Sequence, residues 1–294
     1  MKHVFFLSFL IALGMLSSCD YVTMPYPKNK VIQGGGTGFV KKVLLEDYTA
    51  TQCTNCPAAG IIADGLRTAN GGRVITIGVH IGSLSQPSGT VFTQDFRTTA
   101  GNNYNNLFVN ADATGYPSGM VDRVFIGNPA VYFLGTGNWV SSVNSRLMTQ
   151  DSAFLTISNT YSSTTRTLST KVLTTSVSPL PNTYRLTVLL TEDSIQAPQK
   201  DQDSTQLPNA TVINYWHRYV LRDAINNNHS GWGDTLTLPH HPSVVGDTVS
   251  KTYSYSIPSM FLTIPCNDKH CYVVAFLYDA ATYEILQVEQ QKVY

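Results

Sequence analysis

The chain of 294 residues sets 19 Lys and Arg against 19 Asp and Glu, and 43% of it is apolar. Neutrality with only 13% charged residues leaves no basic footprint for nucleic acid and no polybasic patch for anionic lipid, and the apolar share excludes a disordered chain. The length suits two ordinary domains, and plentiful Thr, Ser, Asn and Tyr suit a β-rich exported protein.

Residues 1–18 read as a lipoprotein signal peptide. Lys2 supplies a basic start, Val4 to Leu16 an apolar run too short to span a bilayer, and small residues precede Cys19. "LSSC" resembles a bacterial lipobox, which makes Cys19 the lipidated first residue of the mature chain. Several acyl chains, palmitate among them, at about 0.8 kcal/mol per buried methylene, hold such a protein on a membrane it does not cross. Residues 19–38, with Pro25, Pro27 and Gly34 to Gly36, read as a flexible tether with a reach of roughly 25 Å.

A first domain is expected over 39–150. The run 39–50 reads as a strand, 56–70 as a helix closed by Gly71 and Gly72, and 73–81 as a buried strand, together a β-α-β unit. Pro57 fits the first helical turn, and Ile61, Ile62, Leu66 and Ala69 give the helix one apolar face. A helix around Phe92 to Leu107, a short strand at 120–126 and a closing helix at 138–150 started by Asn138 follow. Over 151–294 the pattern turns to alternation, with seven strand-like runs separated by Pro, Gly, Asn and Asp, which predicts an immunoglobulin-like β-sandwich. Two long connections, 194–210 and 224–246, are candidate functional loops.

With Cys19 lipidated, Cys53, Cys56, Cys266 and Cys271 remain, an even number that predicts two local disulfides in an oxidising compartment. Cys266–Cys271 would close a tight loop around "NDKH" and contribute about 2 kcal/mol. The stretch "ATQCTNCPAAG" at 50–60 leaves three readings of Cys53 and Cys56 open: a redox pair, a stable disulfide, or half of a metal site. A helix amino terminus stabilises a thiolate on the first cysteine, which would make Cys53 the attacker and Cys56 the resolver. Zinc needs two further ligands, and no second CxxC or nearby His pair supplies them, so no metal and no cofactor is assigned.

Asp47, six residues before Cys53, and "GYPS" at 115–118 extend the match, because thioredoxins carry a buried acid and a cis-proline segment at these places. Residues 39 to about 150 therefore resemble a thioredoxin-like domain. The resemblance implies that Asp47 accepts a proton from Cys56 and that Pro117 positions a substrate backbone. Gln52 in place of the usual aromatic, and Thr54-Asn55 between the cysteines, leave the redox direction open. Tyr116, next to Pro117, would restrict access. Elsewhere, Tyr215, Trp216 and Tyr219 alternate along one strand, so some face outward or into an interdomain seam, with core packing the plainer reading; His240 and His241 read as loop residues, and Trp232 in "SGWGD" as a candidate ligand contact.

The order of lipobox, CxxC domain, "YPSGMVDR", "LLTEDSIQ" and "YWHRYVLRDAINN" with "GWGD" resembles the twenty-eight-kilodalton outer-membrane lipoprotein family of Bacteroidetes over nearly the whole mature chain. That resemblance implies a lipid-anchored, surface-exposed protein of the cell outer membrane with an adhesin or receptor role. Two expectations from different classes follow. One is a binding or adhesion lipoprotein that meets a protein or host-surface ligand and carries a structural Cys53–Cys56 disulfide. The other is a thiol-disulfide oxidoreductase of the envelope that works through Cys53, Cys56, Asp47 and Pro117.

Overall fold

Apolar runs with β-branched residues make strands that are buried on both faces; β2 (Val74–His80) is such a run, and β1 (Val43–Thr49), joined to it by α1 (Cys56–Ala69), is as deeply buried although Glu46 and Asp47 interrupt its apolar residues. They pair in parallel from Val43↔Val74 to Thr49↔His80, so the expected β-α-β unit forms. The computed structural model describes residues 40–124, 135–203 and 210–294; the signal peptide, Cys19 and the whole tether lie outside the described residues.

The helix expected around Phe92 to Leu107 is shorter and broken. α2 (Thr99–Tyr104) starts where Thr98 Oγ1 accepts from the Gly101 amide at 2.9 Å, and it runs into a π turn, Asn105–Val109. Asn110, at φ 48°, ends that turn before α3 (Ala111–Thr114). β3 (Ser118–Val121) pairs antiparallel with β1 and stops early, because Asp122 and Arg123 turn into the left-handed region at φ 48° and 52°. α4 (Trp139–Leu147) closes this part of the chain.

The second half supplies β4 (Ala153–Ser162), β5 (Thr167–Ser176), β6 (Tyr184–Glu192), β7 (Ile195–Lys200), β8 (Thr211–His217), β9 (Val220–Ala224), β10 (Asp234–Leu236), β11 (Thr248–Ser256), β12 (Met260–Phe261), β13 (Ile264–Pro265), β14 (Cys271–Asp279) and β15 (Ile285–Lys292). The single strand expected through Tyr215, Trp216 and Tyr219 is in fact two. Tyr219 takes φ 48°, so β8 pairs with β7 while β9 turns into the main sheet.

The main sheet has eight strands in the order β15-β14-β6-β9-β2-β1-β3, with β10 also on β6. It runs across the boundary expected at residue 150. The junction is parallel, at Gly78↔Val220, where a Cβ on Gly78 would stand 3.1 Å from the Arg218 carbonyl. The separate immunoglobulin-like sandwich over 151–294 is corrected accordingly. A three-stranded sheet, β11-β5-β4, packs on the β6–β14 part of this shared sheet.

Strand alternation divides the apolar side chains. Leu186, Val188 and Leu190 of β6 with Val273, Ala275 and Leu277 of β14 face the three-stranded sheet. Leu189, Val274 and Phe276 face the other way and join Tyr48, Ile77, Ala100 and Tyr104 in one core that draws on both halves of the chain. Val43, Leu45 and Val74 pack beneath α1 and α4. Among the described residues no helix is long and apolar enough to cross a membrane.

Candidate functional site

Ala50, Thr51 and Cys53 leave β1 and turn into α1, whose first turn holds Cys56 and Pro57. Cys53 and Cys56 are joined by a disulfide, each 4% exposed, and they pack against Ala50 and the Tyr116 ring. The Tyr116–Pro117 peptide is cis. The Tyr116 hydroxyl donates to the Ile81 carbonyl at 3.0 Å and Asp112 at 2.9 Å, which fixes the ring beside the sulfurs.

A segment far along the chain covers this turn. The Lys200 amide donates to the Thr51 carbonyl at 2.8 Å and the Gln202 amide to the Thr54 carbonyl at 3.0 Å. The buried Gln199 carboxamide donates to the Cys53 carbonyl at 2.9 Å and the Ala50 carbonyl at 3.1 Å. The backbone carbonyls of the CxxC turn are therefore already taken. Gln199→Ala leaves the buried Cys53 carbonyl without that donor, the Ala50 carbonyl keeping the Cys53 amide at 3.2 Å, and is expected to cost about 1–3 kcal/mol. It should also speed reduction of Cys53–Cys56 by dithiothreitol, which thiol trapping would follow.

Behind Cys56 the face of the sheet beneath α1 changes character. Val43, Leu45 and Val74 are apolar, and the next residues on that face, Asp47, Thr49, Thr76 and His80, are polar. They line a cavity of about 430 Å³ whose walls are α1 and the end of β8. Asp47 sits between Gly78 and Gly119 of the neighbouring strands and is 7% exposed. Its Oδ1 has no hydrogen-bond partner among the described residues, and burial pushes its carboxyl up to about 7. His80 stacks on Phe96 at 4.7 Å and meets His217 edge-on at 5.3 Å. Burial lowers both imidazoles, His217 to about 4 and His80 well below the usual histidine range, so both are neutral at physiological pH.

Of the residues named from the sequence, Cys53, Cys56 and Asp47 converge on this place and the cis Pro117 adjoins it through Tyr116. Thr76, His80, Gln199 and His217 were not anticipated. A histidine ending the buried run "RVITIGVHI" was the available signal for His80, whereas Gln199 and His217 enter through pairing that no local pattern encodes.

Other assignments are corrected. Cys266 and Cys271 are not bonded; their sulfurs lie 3.6 Å apart, contact rather than the roughly 2.05 Å of a disulfide. The contact with Cys266 and burial hold the Cys271 thiol protonated. Glu192 joins them with ligand atoms within 4.8 Å, but the Arg222 Nε lies 3.3 Å from Glu192 Oε2 and supplies the positive charge there. Trp232 is half-buried packing, edge-on to Tyr104 at 5.3 Å and Phe108 at 5.9 Å, because the glycine-flanked turn folds the indole onto the core. His240 pairs with Asp247 at 2.8 Å.

Residues 104–294 match the family described as outer membrane protein Omp28. Among solved structures, HBP35 of Porphyromonas gingivalis is similar at 16% identity with a TM-score of 0.58, over 88% of this chain and 77% of that one. A domain of the outer membrane lipoprotein Omp28 from Porphyromonas gingivalis is similar at 16% identity with a TM-score of 0.32, over 49% of this chain and 90% of that one. No curated protein matches the chain.

Proposed function

From the premise that the chain belongs to the outer membrane protein Omp28 family, we propose that it is a surface-exposed lipoprotein, anchored through Cys19, that works as a binding or adhesion module. In this reading residues 39–150 contribute a thioredoxin-like unit whose Cys53–Cys56 disulfide is a structural staple, and the partner is a protein or host-surface ligand.

The observation that carries the reading is the strand across the CxxC turn. A thiol-exchange enzyme needs an accessible sulfur and a free edge on which a substrate backbone can lie. Here the sulfurs are buried, and backbone and side-chain donors from residues 199–202 cover the carbonyls of the turn that holds them. The half-exposed Trp216 and the nearby cavity, apolar over most of its wall with a polar floor, are features that a binding protein uses.

The test pairs two measurements on the full-length chain. The reduction potential of Cys53–Cys56 is expected below about −300 mV, and attachment to ligand or host surface should survive Cys53→Ser/Cys56→Ser. A potential between about −270 and −120 mV, or protein substrates trapped as mixed disulfides by Cys56→Ser, would overturn the reading in favour of an oxidoreductase.

A further inference from the structure

Asp47 lies in the carboxyl half of β1 and His80 ends β2, the place where open α/β sheets hold ligands, and Thr76 stands earlier on the same face of β2. Asp47 Oδ1, Thr76 Oγ1, His80 Nδ1 and His217 Nε2 are buried without a hydrogen-bond partner among the described residues, and all four side chains line the same cavity. A buried polar group left unmet is costly, and a ligand that meets it recovers that cost. At about 430 Å³ the space holds a small organic molecule rather than one or two ordered waters.

The chemistry of the wall is that of an acceptor. His217 donates to the carbonyls of Ala197 and Pro198, so its unpartnered Nε2 is a bare lone pair. Asp47 brings a carboxyl with no counter-charge. Among the described residues no ion pair engages it, and the arginine on the cavity wall, Arg218, is held by Asp193 at 2.6 Å. Arg67, on α1, is held by Asp64 at 3.3 Å. Tyr215 and the 52% exposed Trp216 add aromatic surface to the wall, and aromatic faces attract cations.

We propose that this cavity binds a small organic cation, a guanidinium or primary ammonium group that pairs with Asp47, donates to His217 and Thr76, and lies against Trp216. The proposal rests on the binding reading above, since it takes Cys56 to be oxidised and Asp47 to have no thiol to serve.

The pH dependence belongs to Asp47. The groups that face it are Tyr215 of β8, pushed up to about 12, His80 of β2 and His217 of β8, both neutral, and along the walls Asp64, Arg218 and Tyr219. A bound cation favours the carboxylate and so lowers the Asp47 pKa from its empty-site value of about 7. Affinity therefore rises with pH and levels off above that value, by roughly 30-fold between about pH 5.5 and about pH 8.

Agmatine, titrated calorimetrically into the detergent-solubilised full-length chain, tests this. Saturable one-to-one binding, weakened at least tenfold by Asp47→Asn and severalfold by Trp216→Ala, is the expected result; the exposed Trp216 can be changed without disturbing the core. An arginine-containing tripeptide that binds more tightly than agmatine assigns the cation to a polypeptide side chain, and the reverse order assigns it to a free amine. No saturable binding at millimolar agmatine, or an affinity indifferent to Asp47→Asn in a chain that melts like the parent, overturns the proposal. Either failure leaves the Cys53–Cys56 potential unchanged, so the staple reading stands or falls by its own measurement.

Discussion

Arg123→Met is expected to destabilise the chain by about 3–5 kcal/mol. Arg123 is fully buried, and its guanidinium makes a two-point pair with Glu46, Nε to Oε2 at 2.9 Å and Nη2 to Oε1 at 2.7 Å. The rings of Tyr104, Phe108 and Phe276 surround the cation at 4.4, 5.0 and 5.0 Å. Methionine fills much of the volume but leaves the Glu46 carboxylate alone in an aromatic core, and that uncompensated charge is the cost. Glu46→Leu/Arg123→Met removes both charges and should recover most of the loss, because burying a pair already costs desolvation on each side. Urea unfolding of the three chains checks this through the midpoint at constant m value. A double variant as unstable as the single one would assign the loss to the cation's contacts with the rings rather than to the orphaned carboxylate.

This pair also shows what the sequence makes legible and what it hides. The β-α-β unit, the helix opening at Cys56, the disulfide and the cis Pro117 are local features, written in apolar runs, a proline at a helix start and a cysteine spacing. "YPSGMVDR" was recognisable as a motif, yet the tasks of its last two residues were not. Asp122 accepts from the Leu44 amide at 2.9 Å and pairs with Lys41 at 3.0 Å, and Arg123 fills the aromatic core. The pairings of Leu44 with Asp122 and of Glu46 with Arg123 join residues 78 and 77 positions apart and have no local period.

The cavity was hidden for the same reason. Its polar floor follows from strand alternation, but its wall is β8, and the cover of the CxxC turn reaches across 146 residues from Gln199 to Cys53. Local reading also overvalued two signals. A tryptophan between glycines looked like an exposed anchor, and the glycines instead allow the turn that packs Trp232 inward. Alternating aromatics through 211–223 looked like one strand until the left-handed Tyr219 divided them between two sheets.

Trp139→Ala should rank beside Arg123→Met, at about 3–5 kcal/mol. The indole is fully buried at the start of α4, in the core formed with Val43, Leu45, Leu66 and Val121. It lies so close to β3 that a Cβ on Gly119 would stand 2.7 Å from three of its ring atoms. Gly119 is the residue opposite Asp47 in the pairing of β1 with β3, so this contact sets the spacing on which the floor of the cavity depends. A rigid ring cannot yield to the added methyl, and Gly119→Ala in the parent chain is expected to cost about 1–3 kcal/mol. In a Trp139→Ala background the same methyl enters vacated space, so its cost should fall to near zero and the double-mutant cycle should return a coupling of at least about 1 kcal/mol. Additive losses would mean that β3 and α4 separate independently. The Gly119 and Trp139 contact would then be a coincidence of packing and not what holds β3, with the cis Pro117 before it, against β1.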